Sequence, residues 1–69
     1  MKKFAERLKE LRNEKNLSQA QLAKVTGLSH TAIVYWETEQ RVPNANAIVT
    51  LAAYFNVTTD YLLGVENSF

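Results

Sequence analysis

Apolar residues recur along this chain in five short bursts with helical spacing, separated by polar residues that start or stop helices. Phe4, Leu8 and Leu11 form one stripe, which predicts a first helix from about Lys3 to Lys15, with Asn16 as a left-handed stop. A second start lies at Ser18. Ser18 and Gln21 have the spacing of a capping box, and Leu17 and Leu22 that of the matching hydrophobic staple. That helix should end near Thr26, where Gly27 takes a positive φ and turns the chain. Leu28 and Ser29 repeat the start signal, with Ile33 as staple partner, for a third helix ending around Glu37 or Thr38. Residues 38–42 read as a loop that Pro43 keeps from continuing as helix. Asn44 caps a fourth helix carrying Ile48, Leu51, Ala52 and Phe55, which Asn56 stops; Thr58 opens a fifth, which Gly64 closes. The expectation is an all-α, compact five-helix domain over residues 1–64, with 65–69 as a tail or linker root.

The second and third helices, joined around Gly27 with the small Ala23 on the inner face, have the helix-turn-helix pattern. On a wheel starting at His30, His30, Val34, Thr38, Thr31 and Tyr35 fall at roughly 0°, 40°, 80°, 100° and 140°. Ala32, Trp36 and Ile33 fall at roughly 200°, 240° and 300°. Ile33 and Trp36 are therefore core candidates. The opposite face lacks the Glu, Lys and Gln of an ordinary solvated helix and is suited to contact, which points to a helix that reads DNA.

Charge sharpens this picture. The net charge of +1 is no signature of a nucleic-acid binder, yet residues 1–24 hold seven Lys and Arg against three Glu, net +4. Residues 25–69 hold Arg41 against Glu37, Glu39, Asp60 and Glu66, net −3. The basic end, Lys9 among it, is placed to face phosphates. With no cysteine and one histidine, neither a disulfide, a metal site nor a catalytic triad is expected. Two glycines leave no phosphate-cradling loop, so neither a cofactor nor an enzymatic activity is expected. No apolar run approaches a membrane span, and no basic-then-apolar start marks secretion; a cytoplasmic protein without membrane contact is expected.

The segments LKELRNEKNLSQAQLAKVTGLS, IVYWE, RVP and LAAYFNVTTDYLLG resemble the phage repressor and Cro-type (Xre-like) DNA-binding family over roughly Phe4 to Gly64. The resemblance implies a lambda-repressor-like fold whose third helix (29–37) enters the major groove, with dimers reading two half-sites. It implies base reading by His30, Thr31, Val34 and Tyr35, although Tyr35 has the alternative of covering the loop near Arg41. Gln19 would bind a phosphate with its amide and the N-terminal N–H groups of the second helix, with Ser29, Arg41 and Lys9 as further phosphate contacts. Arg12 and Glu37 sit where many members form an ion pair. Tyr54, Val57, Tyr61 and Val65 either close the core or form a two-fold interface, as related repressors use.

Two departures from the family pattern bear on affinity. The loop after the third helix has Glu39 where Gly is common, and only Arg41 is basic there. No Arg or Lys lies on the outer face of the third helix, so the commonest bidentate contact to guanine is missing. Modest affinity and a shallow salt dependence follow. The resulting expectation is a transcriptional repressor that binds a pseudo-palindromic operator in double-stranded DNA as a homodimer. The alternative is a protein-interaction module, such as an antitoxin, that meets a protein partner through the apolar C-terminal helices. The apolar Phe69 favours a chain that is a fragment of a longer regulator.

Overall fold

The computed structural model describes residues 1–65, and the terminal Phe69 and most of the expected tail lie outside them. Five helices follow in order: α1 (Lys2–Glu14), α2 (Gln19–Thr26), α3 (His30–Glu37), α4 (Ala45–Phe55) and α5 (Thr59–Leu63). No strand occurs among the described residues.

Each start from α2 onward is closed by a side chain. Ser18 Oγ accepts from the Gln21 amide at 3.0 Å while the Gln21 side chain accepts from the Ser18 N–H at 2.8 Å, completing the capping box. Ser29, Asn44 and Thr58 accept from the amides of Ala32, Ala47 and Tyr61. The stops are equally local: Asn16 and Asn56 both take φ of 56°, and Gly27 and Gly64 take 73° and 87°. One difference from the sequence expectation lies at the start of α1, which begins at Lys2 with Met1 as its cap and no side-chain cap bond. It ends at Glu14, with Lys15 as a right-handed C-cap before the left-handed Asn16.

The helices fold around Phe4, Leu8, Leu22, Ile33, Leu51 and Leu62, whose side chains are fully buried and come from all five elements. Trp36 meets Phe4 edge-on at 6.3 Å between ring centroids, locking α3 against α1. Ala23 of α2 is buried in the same core. At the far end, Gly64 lies so close to Lys3 that a Cβ there would come within 2.3 Å of the Lys3 Cβ. No helix of the described residues is long and apolar enough to cross a membrane.

Candidate nucleic-acid interface

An eight-residue helix is too short to persist alone, so the surroundings of α3 must hold it. Ile33 and Trp36 bury its inner face. Its C-terminal residue, Glu37, is the one charged residue buried among those described. Arg12 of α1 meets that carboxylate bidentately, with Nε 2.8 Å from Oε2 and Nη2 2.9 Å from Oε1. Its remaining nitrogen, Nη1, donates to the Leu17 carbonyl at 2.8 Å, in the turn that leads into α2. Gln19, the first residue of α2, donates from Nε2 to Glu37 Oε1 at 3.0 Å. One buried carboxylate thus ties together α1, α2 and the end of α3. The bond to Glu37, more than the attraction between the charges, holds the Arg12 guanidinium above its ordinary pKa, against the opposing effect of burial.

The outer face of α3 is open. His30 and Thr31 are exposed, and Val34 and Tyr35 are half-buried. Thr38, the other hydroxyl on that side of the wheel, turns back on the helix: its Oγ1 donates to the Val34 carbonyl at 2.8 Å and accepts from Gln40 Nε2 at 3.0 Å. The loop also folds back. Glu39 takes φ of 65° without a glycine, and the Gln40 and Arg41 amides both point to the Tyr35 carbonyl, at 2.8 and 3.4 Å. The Arg41 guanidinium lies over the Tyr35 ring, 4.5 Å from its centroid. Tyr35 therefore does cover the loop near Arg41.

Beside α3 runs a groove of about 390 Å³ lined by Lys9, Arg12, Ser18, Gln19, Glu37 and Thr38. It brings Lys9 of α1 to the N-terminus of α2. Gln19 has one amide N–H on Glu37, which leaves the other, with its oxygen, for a ligand. Ser29 uses an oxygen lone pair for its cap and keeps its O–H as a donor. No cluster of ligating residues able to hold a metal occurs among the described residues.

The α4–α5 end is partly committed to packing. Tyr54 and Val57 lie against the core, and Tyr54 meets Phe55 edge-on while Lys15 Nζ lies 5.7 Å above its ring. The Arg7 guanidinium stacks on Tyr61 at 4.1 Å and bonds its carbonyl. Val65 is openly exposed, at 72%. Asn56, Val57, Thr58 and Tyr61 border a shallow groove of about 410 Å³. These cation–ring pairs, like the Gln19–Glu37 bond, are contacts between helices that carry no local sequence signal.

The profile of the helix-turn-helix family matches residues 8–62, from the middle of α1 to the fourth residue of α5. The chain belongs to that family. This helix-turn-helix domain is 43% identical over 63 residues to the HTH-type transcriptional activator BcrR of Enterococcus faecalis, covering 91% of this chain and 31% of that protein. The control protein C.SmaI of Serratia marcescens is 37% identical over 67 residues, covering 93% of this chain and 80% of that one. The crystal structure of the restriction-modification controller protein C.AhdI from Aeromonas hydrophila superposes with a TM-score of 0.79 at 36% identity, covering 88% of this chain and 92% of that one. The domain spans only 28–57% of the length of several other curated regulators it resembles.

Proposed function

We propose that this helix-turn-helix domain binds double-stranded DNA sequence-specifically and regulates transcription, repressing as a homodimer on a pseudo-palindromic operator. The carrying observation is the division of α3: an inner face and C-terminus locked by Ile33, Trp36 and Glu37, against an outer face where His30, Thr31 and Val34 are left for a ligand beside Tyr35, which lies under Arg41. With α3 in the major groove, His30 at its first turn donates to a purine N7 or guanine O6. Thr31 and Val34 offer methyl groups to thymine. Gln19, Ser29, Lys9 and Arg41 surround that face as phosphate contacts. A relative named a transcriptional activator, another named a control protein and a structural neighbour described as a restriction-modification controller protein support the broader role in regulating transcription.

Selection of binding sites from random duplex DNA tests this reading. The expected product is a site with two-fold symmetry and half-sites about one helical turn apart. His30→Ala should relax preference at one base pair of each half-site. Recovery of no sequence above the random pool refutes sequence-specific reading. A second reading, a protein-interaction module, is favoured by one observation: α4 carries no charged residue, and Val42 and Val49 beside and on it are 67% and 59% exposed. A salt-independent complex with a protein, with no DNA retained at low salt, would support that alternative.

A further inference from the structure

Tyr35 stands in the second turn of α3, five residues and about 7.5 Å along the axis from His30. Side chains near the start of a recognition helix are those that reach base edges. What surrounds Tyr35 instead belongs to the next loop. Its carbonyl takes both the Gln40 and the Arg41 amides, its ring lies under the Arg41 guanidinium at 4.5 Å, and the left-handed Glu39 makes the reversal that brings them there. Main chain and side chain of Arg41 are thus both referred to a single residue. Arg41 is also the one Lys or Arg between residues 25 and 65, and no carboxylate pairs with it among the described residues.

We propose that Tyr35 is a positioning residue that holds Arg41 as a preformed phosphate clamp at the C-terminal rim of the reading helix, and that base recognition is confined to His30, Thr31 and Val34. This rests on the DNA-reading role above and changes the part Tyr35 takes in it. A free arginine side chain loses much rotamer freedom when it is fixed on a phosphate. Stacking on Tyr35 fixes the guanidinium before DNA arrives, so less freedom is lost on binding. For the ring to swing into the groove it would have to release Arg41. The pair therefore offsets part of the deficit of a loop that holds one basic residue: a cation already held in place loses less freedom on binding than a mobile one.

The test uses the full chain on an operator recovered by random selection, with affinity measured by fluorescence anisotropy across a salt series and folding checked by thermal melts. Arg41→Gln should lower the slope of log K against log salt by about 0.9. Tyr35→Leu should weaken binding about two- to five-fold, leave the selected sequence unchanged, and have no further effect when combined with Arg41→Gln. Tyr35→Phe keeps the ring and should bind like the wild type with the same base preference. Losses from Tyr35→Leu and Arg41→Gln that add in full overturn the clamp, as does a changed base preference in either Tyr35 variant. In both cases DNA reading itself stands. If Tyr35→Leu does not fold, Tyr35→Phe decides: removing a base-reading hydroxyl would shift the selected sequence, whereas removing it from a stacking ring would not. A wild-type chain that selects no sequence overturns the clamp and the DNA-reading role together.

Discussion

The buried ion pair gives the most demanding test of how this small domain is held together. The Glu37 side chain is 2% exposed and that of Arg12 13%. Three donors reach the carboxylate, two from Arg12 and one from Gln19. Arg12→Met removes two of those donors and the whole countercharge while keeping most of the apolar stem. Leaving such a carboxylate buried and unpaired costs about 3–5 kcal/mol. A core of this size supplies roughly 3–5 kcal/mol in total, so the variant should sit near its unfolding midpoint at 25 °C. Glu37→Leu is milder, about 1–3 kcal/mol, because the more exposed Arg12 can rehydrate and keeps the Leu17 carbonyl. Arg12→Met with Glu37→Leu removes both charges and should return to within about 1 kcal/mol of the wild type, or exceed it. Urea titrations followed by circular dichroism, with trimethylamine N-oxide added to populate the folded single variant, complete the cycle. The raised pKa of Arg12 means its contribution is complete below the unfolded guanidinium value and is lost only above the folded one. Arg12 therefore adds no pH dependence in the working range. The reasoning fails if Arg12→Met costs less than about 1 kcal/mol, or if the double variant loses the sum of the singles.

Other expectations follow from the turns and caps. Gly27→Ala meets nothing within 4 Å, so it should cost only the left-handed penalty of about 1–2 kcal/mol. Gly64→Ala should cost ~1–3 kcal/mol more, because its Cβ collides with the Lys3 side chain; equal melting temperatures for the two variants would contradict this. Glu39→Gly relieves a left-handed non-glycine residue and should raise stability by about 0.5 kcal/mol, a rise of roughly 2–4 °C in Tm by calorimetry. Ser18→Ala removes a cap and the capping box, and should cost about 1 kcal/mol, with amide exchange faster in α2 first.

Much of the fold was legible because its signals are local. Ser18, Ser29, Asn44 and Thr58 each start a helix through a bond to an amide three residues on, and Asn16, Gly27, Asn56 and Gly64 each end one by their own φ. The wheel separated Ile33 and Trp36 from His30 and Thr31 for the same reason. What it missed depends on tertiary approach. Thr38 lies on the outer side by angle, yet its hydroxyl bonds back to Val34 because it caps the end of α3. Gln19 carried a phosphate role by resemblance, and nothing in its spacing shows that it also reaches Glu37. The missing glycine at Glu39 was visible, but not that the chain would adopt the left-handed turn regardless. Bonds from two successive amides to the Tyr35 carbonyl and the Arg41 stack offset that local cost.

The same contacts that stabilise α3 also set how it is presented, and the two effects are separable. Hydrophobic packing through Ile33 and Trp36 fixes α3 against the core but permits small rotations, since apolar contact has little directional preference. The bidentate Arg12–Glu37 pair does not permit them: two bonds of 2.8 and 2.9 Å fix the plane of the carboxylate, and the Leu17 bond fixes the guanidinium in turn. A buried ion pair is a poor way to gain stability relative to well-packed apolar residues, so its presence at the end of a short helix is better explained by direction than by strength. Arg12→Met with Glu37→Leu isolates that difference, since it keeps the packing and discards the geometry. If direction is what the pair supplies, that variant melts like the wild type yet binds the selected operator less tightly, with its salt slope unchanged because Lys9 and Arg41, the cations proposed to meet phosphates, are still in place. Wild-type affinity in a fully folded double variant would show instead that packing alone aims the helix.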